Sequence, residues 1–171
     1  MEKESRIEKE WIRSLGSGNT QSILSTLLEI RNSGSVNILP HLFKLIHRDT
    51  PAEIRAEIFR LIGDIKLQEA VPYIVTSLEE MDYGEYLPAF VAACWQSGLD
   101  FSNHLGLFAR LFVHADYITS LEAFTLIEES MAHASDRVRL ECIKYIRDSE
   151  YLVPDEKLPL FRELRKVIEE I

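Results

Sequence analysis

The 171-residue sequence predicts an all-α fold built from stacked antiparallel helix pairs. Apolar residues recur at helical spacing along almost the whole chain, whereas strict apolar–polar alternation is never sustained. The few glycines and prolines lie between the apolar runs, which favours a helical protein over a turn-rich β sandwich. Pro40, Pro72 and Leu105 share an apolar context at a spacing of about 33 residues. A period of this length, with two helices in each period, is typical of a stacked helical repeat.

The periodicity predicts ten helices joined by short connections. They are expected at residues 3–15, 20–33, 36–47, 51–65, 69–80, 84–97, 102–113, 117–132, 136–148 and 156–170. The residues at the breaks have the chemistry of helix ends. Asn19 or Thr20 and Ser135 are predicted N-caps, and Gly34 and Gly98 are predicted left-handed helix ends. Residues 50–53, TPAE, are predicted to form a capping box with proline at the first helical position.

One unit of the repeat carries a family motif. Residues 49–65, DTPAEIRAEIFRLIGDI, continue into AVP at 70–72, and this run resembles the HEAT-repeat family. In that family an aspartate in the turn precedes a V-R opening of the second helix, for which Ile54 and Arg55 stand here. An L-G-(D)-I ending and an A-V-P opening of the next pair follow in the family. The sequences at 62–65 and 70–72 match them.

The resemblance covers about 20–150, with its motif residues in 36–80, and it implies a specific architecture. We expect an α-α superhelix of the armadillo-like helical type, a right-handed solenoid of about five stacked antiparallel helix pairs. The chain 1–171 would be a single HEAT-like domain with terminal capping helices at 1–15 and 151–171. Its second helices would line a concave side, and family members mostly bind other macromolecules.

Composition and charge restrict the function classes. The chain has 19 basic and 28 acidic residues and a net charge of −9, and no basic strip stands out, so nucleic acid is not an expected partner. No run approaches the about 20 apolar residues that a membrane span needs, so no membrane partner is expected either. The start, MEKESRIEKEW, is charged, and two cysteines are too few for a disulfide scaffold. We therefore expect a cytoplasmic protein.

No catalytic or metal-binding motif emerges from the sequence. The closest histidines, His41 and His47, are six residues apart and point in different directions around a helix, unlike the ligands of a zinc site. The residues of 16–19, GSGN, lack the lysine and the length of a P-loop. We expect no cofactor, no metal and no catalytic residue.

The candidate binding surface comes from carrying the outward stripe of the 51–65 helix forward by 33 and 66 residues. Its charged residues are replaced by less polar ones, with Tyr83 and Trp95 nearby. The candidate partner-binding residues are Tyr83, Tyr86, Phe90, Ala93, Thr119, Ala123 and Leu126. An acidic rim is predicted at Glu79, Glu80, Asp82 and Glu85. Aromatic anchors beside acidic residues favour a basic or amphipathic protein partner.

Two alternatives to an exposed binding stripe stay open at this point. The register could slip by one residue and turn the stripe inward, or the aromatic side chains could pack as core between repeats. The favoured function is a non-catalytic protein- or peptide-binding scaffold or adaptor that uses the concave face. The alternative function is a HEAT-fold enzyme related to the alkylpurine DNA glycosylases, which act on nucleic acid. The acidic balance and the missing basic groove count against that enzyme.

Overall fold

The helices begin and end close to the residues that the sequence predicts. The computed structural model describes residues 6–170, so the first residues of the predicted helix 3–15 lie outside the described part. Within 6–170 the chain forms ten α-helices and no β-strand. Helices α1 to α5 are Arg6–Leu15, Thr20–Ser33, Leu39–Phe43, Ala52–Asp64 and Val71–Glu80. Helices α6 to α10 are Leu87–Ser97, Leu105–His114, Tyr117–Met131, Asp136–Asp148 and Leu158–Glu170.

Most of the predicted helix caps are confirmed. The Asn19 side chain accepts a hydrogen bond from the backbone N–H of Ser22 at 2.8 Å and so caps α2. Gly34 ends that helix with φ of 71°, a left-handed conformation that glycine adopts without steric cost. Ser135 caps α9 in the same way as Asn19 caps α2. These caps explain why the helices stop where they do.

The predicted capping box at residues 50–53 is wrong. Pro51 precedes α4 as its N-cap residue in an extended conformation, and no side chain caps the helix. The Thr50 hydroxyl instead lies 3.1 Å from Nε2 of His47. Arg55 Nη1 donates to the carbonyl oxygens of His47, at 3.1 Å, and of Thr50. The turn is therefore held by an arginine from inside the helix.

The third helix is shorter than the predicted 36–47. Pro40 has no N–H, so a helix running through residue 36 would lose a hydrogen bond, and a three-residue turn from Leu39 N–H to Val36 O replaces it. Four other helices begin two or three residues late for a related reason. Their first predicted residues form 3₁₀ turns, at Gln68–Ala70, Gly84–Tyr86, Ser102–His104 and Asp155–Lys157.

The chain groups into two compact units, residues 1–86 and 87–171. In the first unit, α2 packs against α1 and α4, and α3 packs against α1 and α5. The buried side chains of this unit include Trp11, Leu27, Ile30, Leu42, Phe43, Ile54, Ile58, Ile62 and Ile74. Each helix thus contacts helices one or two places away along the chain. The single domain expected over 1–171 stays a prediction.

The second unit has the same pattern of neighbours and an aromatic core. Helix α8 packs against α6, α7 and α10, and α9 packs against α7 and α10. Phe112 stacks on Phe161 with ring centroids 6.0 Å apart, and Phe101 meets Phe108 edge-on at 5.4 Å. Aromatic pairs of this kind stabilise a core beyond the area that they bury. The all-helical class and the packing of neighbouring helices are therefore confirmed.

A buried lysine closes the second unit. Lys157, directly before α10, is 4% exposed, and its Nζ donates to the carbonyl oxygens of Phe112 at 3.0 Å, Val113 at 2.9 Å and Ala115 at 2.8 Å. These carbonyls lie at the end of α7, where no further turn of helix satisfies them. The ammonium group uses all three of its hydrogens there and complements the negative end of the helix dipole.

Candidate binding surface

Five of the seven predicted partner-binding side chains are buried, at 0 to 2% exposure. They are Phe90, Ala93, Thr119, Ala123 and Leu126. The exposed stripe that they were expected to form is therefore not on the surface. The core packing that the sequence left open as an alternative describes where they lie, and a role for them in partner binding stays a prediction.

The other two predicted side chains belong to the first unit. Tyr83 is buried, and its hydroxyl is hydrogen-bonded to that of Ser77. Tyr86 is half-buried under the guanidinium of Arg55, whose Cζ lies 4.4 Å from the ring centroid. Tyr86 thus supports the arginine that holds the turn before α4. The structure does not bring Tyr83 and Tyr86 into an exposed aromatic patch.

The inward position of these stripes has a geometric cause, a shift of one residue in the repeat. Ile58 and Ile62 of α4 are buried, and the buried residues of α6 that match them, Phe90 and Cys94, lie 32 positions later instead of 33. In α8 the residue that matches Ile58 is Ala123, 65 positions later instead of 66. One residue is about 100° of helix rotation, so the assumed period carries an outward position inward.

At the corrected spacing, the solvent-facing stripes can be compared. The stripe of α4 carries Glu53, Ala56, Glu57, Arg60 and Asp64. The matching stripe of α6 carries Pro88, Ala89, Ala92 and Gln96. The matching stripe of α8 carries Ile118, Leu121, Glu122, Thr125 and Glu129. The loss of charge that the sequence indicates is therefore found on the surface, but on other residues.

These two stripes form one surface of the second unit, because α6 and α8 pack side by side. Trp95 Nε1 of α6 donates a hydrogen bond of 2.7 Å to Oε2 of Glu122 in α8. We name this surface the α6/α8 face. It consists of Pro88, Ala89, Ala92, Trp95, Gln96, Tyr117, Ile118, Leu121, Glu122, Thr125 and Glu129.

The N-terminal half of α8 exposes three large apolar side chains on this face. Tyr117 is 45% exposed, Ile118 is 53% exposed and Leu121 is 42% exposed. A group of such side chains on one helix face is more informative than a single exposed leucine, because contiguous apolar surface is where proteins bind partners. Ile118 and Leu121 are absent from the sequence-based candidates. Counting 65 positions from the charged residues of α4 would have found them.

The charge of the face is one-sided. Helices α6 and α8 contain no lysine, arginine or histidine, whereas α8 contains Glu122, Glu128 and Glu129. Among the described residues neither Glu128 nor Glu129 forms an ion pair. The face is therefore apolar at one end of α8 and acidic at the other.

A pocket of about 240 Å³ lies at the acidic end of the face. Its polar lining residues are Trp95, Asp100, Glu129, Ser130 and His133, and Leu99, Phe101 and Leu126 supply apolar walls. All of these belong to the second unit. The pocket thus combines two carboxylates, an indole, a hydroxyl and an imidazole around one cavity.

Asp100 is held as a carboxylate by its own turn. The backbone N–H of Ser102 donates to Asp100 Oδ1 at 2.8 Å, and this hydrogen bond is the main cause of a pKa below the usual value of an aspartate. The Ser102 hydroxyl acts in the same direction, burial opposes it, and His133 and His104 lower the pKa further. The pocket therefore keeps its negative charge near neutral pH.

The predicted acidic rim lies in the first unit. Glu79, Glu80, Asp82 and Glu85 are all exposed, and Asp82 accepts a hydrogen bond from the N–H of Gly84 at 2.9 Å within its turn. Glu80 also borders a groove of about 400 Å³ between α3 and α5, whose apolar lining includes Pro40, Phe43 and Tyr73. The structure brings none of the predicted aromatic binding residues to this groove.

Two searches for other classes of site give simple results. In the described part of the chain, no three His, Cys, Asp or Glu side chains come together as a site for a metal ion. No helix within 6–170 is long and apolar enough to cross a membrane.

Comparison with known proteins identifies no family. No protein-family model, curated protein or solved structure matches the chain. The HEAT-repeat resemblance therefore rests on the sequence motif at 49–72 alone.

Proposed function

We propose that this protein is a non-catalytic binding protein whose α6/α8 face holds a short segment of another protein. That segment presents apolar side chains next to lysine or arginine. The observation that carries the proposal is the exposure of Tyr117, Ile118 and Leu121 on a helix that has acidic side chains and no basic ones.

The apolar end of the face supports an apolar contact. Burying a leucine or isoleucine side chain contributes about 1.5–3 kcal/mol relative to leaving it exposed. Ile118 and Leu121 are about half exposed, so part of this free energy is still available to a partner. The neighbouring α6 stripe carries the small residues Ala89 and Ala92, which let a partner approach the helix backbone closely.

The acidic end of the face supports a basic partner. Glu128 and Glu129 have no cation from the described residues beside them, and Glu122 is hydrogen-bonded to an indole. A partner with lysine or arginine at one end of its apolar face would complement this charge. Such complementarity steers association and selects against acidic competitors.

The proposal extends to the architecture. We take each unit as a short stack of HEAT-like helix pairs, in which α6 and α8 are second helices of successive pairs. Contacts between helices two places apart, α2 with α4 and α6 with α8, support this stacking. In that arrangement the proposed face lies on the concave side, where repeat proteins bind their partners.

Selection from a random peptide library, followed by fluorescence anisotropy on the selected peptides, tests the proposal. We expect the selected peptides to combine apolar residues with lysine or arginine. Their affinity should fall about tenfold or more for the variant with Ile118→Ser and Leu121→Ser, because each lost apolar contact removes more than about 1 kcal/mol. The circular dichroism of this variant should be unchanged, since both side chains face solvent.

Leu28→Ser is the matched control, because Leu28 is 55% exposed on α2 of the first unit. It should leave the affinity unchanged. Peptides that bind the double variant as tightly as the original protein would contradict the proposal. So would a stable dimer that the double variant abolishes, because the face would then belong to a second copy of the chain.

A further inference from the structure

The pocket at the acidic end of the α6/α8 face contains a polar group without a partner. Ser130 lines this pocket at 7% exposure, and among the described residues its hydroxyl has no hydrogen-bond partner. Most buried hydroxyl groups in proteins are hydrogen-bonded. An unsatisfied hydroxyl at the wall of a cavity therefore indicates a group that enters the cavity and supplies the missing hydrogen bond.

The charge of the pocket selects a cation as that group. Asp100 and Glu129 contribute two carboxylates, and the described part of the chain places no lysine or arginine in the lining. His133 is the one basic side chain there, and an unperturbed imidazole is largely neutral at pH 7. A negatively charged ligand would meet two like charges and no compensating one.

The shape and the aromatic wall favour a planar cation. Trp95 lines the pocket, and its hydrogen bond to Glu122 fixes the orientation of the indole. A guanidinium group stacks on an indole and donates to carboxylates through several N–H groups in a fixed plane, whereas an ammonium group is a compact, strongly hydrated point charge. The volume of about 240 Å³ is sufficient for one such side chain.

We infer that this pocket binds the guanidinium of an arginine from the segment that the α6/α8 face holds. Asp100 and Glu129 accept its N–H groups, the Ser130 hydroxyl accepts one more, and Trp95 packs against its plane. This inference rests on the proposed function and makes it more specific, because it assigns the basic residue of the partner to one position.

The test is a titration followed by the indole N–H signals in ¹⁵N-labelled protein. The chain has two tryptophans, so Trp95 reports on the pocket and Trp11 in the first unit serves as the internal control. N-acetyl-arginine amide should shift the Trp95 signal with a Kd in the millimolar range, as expected for a fragment of about 15 atoms. The Trp11 signal should stay in place. N-acetyl-lysine amide should bind more weakly, and the neutral isostere N-acetyl-citrulline amide should not bind.

Variants at neighbouring positions sharpen the test. Glu129→Gln should weaken binding of the arginine probe about tenfold, since it removes a charged hydrogen-bond acceptor. Glu128→Gln removes the same charge from an exposed side chain that does not line the pocket, and it should have little effect. Ser130→Ala should weaken binding by a smaller factor. Equal shifts with arginine and citrulline probes, or equal effects of the two glutamine variants, would overturn the inference, and lysine binding as tight as arginine would overturn the preference for guanidinium.

The two proposals can fail separately. Binding of the arginine probe needs no partner protein, so it can succeed while the peptide selection fails. Conversely, selected peptides that bind through Ile118 and Leu121 but are insensitive to Glu129→Gln would support the face and contradict the arginine pocket.

Discussion

The two units carry opposite kinds of surface on helices of the same type. In the first unit, the outward stripe of α4 pairs its own charges: Arg31 Nη1 of α2 lies 3.3 Å from Oε1 of Glu57, and Arg31 also contacts Asp64. Arg60 forms a further ion pair with Glu57. Each acid of this network has a cation beside it, so the surface is satisfied by its own residues.

The second unit leaves the corresponding surface unsatisfied. Its α6/α8 face has exposed Ile118 and Leu121 where α4 has alanine or a charge, and Glu129 has no cation from the described residues beside it. The two helices share a buried stripe at matching positions, so the difference concerns only the solvent side. It teaches that a repeated helix unit can keep its core while its outer stripe changes from self-paired charges to a surface that needs a partner.

The largest expected effect tests whether α6 really buries its aromatic stripe. Phe90→Ala should lower the free energy of unfolding by about 4 kcal/mol, because it removes a large side chain from a fully buried site and leaves a cavity. Tyr86→Ala removes a half-buried ring and an exposed cation–π contact, so it should cost about 1 kcal/mol. Urea denaturation followed by circular dichroism measures both. Equally small losses would place Phe90 on the surface and restore the 33-residue register.

A smaller but still large effect tests a contact of the second unit that the first has no described counterpart for. Lys157→Met should lower the free energy of unfolding by about 3 kcal/mol, because it leaves the carbonyls of Phe112, Val113 and Ala115 buried with fewer donors. Lys166→Met, at an exposed position of α10, is the matched control and should be nearly neutral. Thermal and urea unfolding compare the two, and equal stabilities would show that the buried ammonium contributes nothing net.

The smallest effect tests the self-paired surface of the first unit. Arg31→Met should cost about 1 kcal/mol at low salt, because Glu57 and Asp64 lose a shared cation. The loss should shrink at high salt, since the ion pairs are partly exposed and screened. Arg137→Met, which breaks an exposed pair with Glu141 on α9, should cost less at any salt concentration. If both variants behave alike, the charges of the first unit are not a cooperative network.

Helix positions follow from the sequence because their signals are local. The side chain of Asn19 and the left-handed Gly34 act within one helix end, so their chemistry can be identified without the rest of the fold. The capping box at 50–53 failed for a non-local reason. The Thr50 hydroxyl bonds to His47, and Arg55 reaches back across the turn, so the competing partners come from outside the motif.

The face was harder to predict because loops do not preserve helix phase. Asp49 and Asp82 are 33 residues apart, but α4 begins three residues after the first, whereas α6 begins five residues after the second, beyond a 3₁₀ turn. Counting from aspartate to aspartate therefore aligns turns and not helix faces. Counting from the start of α4 to the start of α8 gives 65 residues and recovers the observed register. The pocket could not be predicted at all, because Asp100 and Glu129 come together only when α6 and α8 pack.

The buried ammonium of Lys157 also has a consequence for how the chain is made. It reaches back 42 to 45 residues to complete a helix that ended at His114. During synthesis on the ribosome, α7 emerges well before the residue that satisfies its last carbonyls. The second unit therefore stays unfinished until the chain has been translated past position 157, and until then water must hydrate the open end of α7.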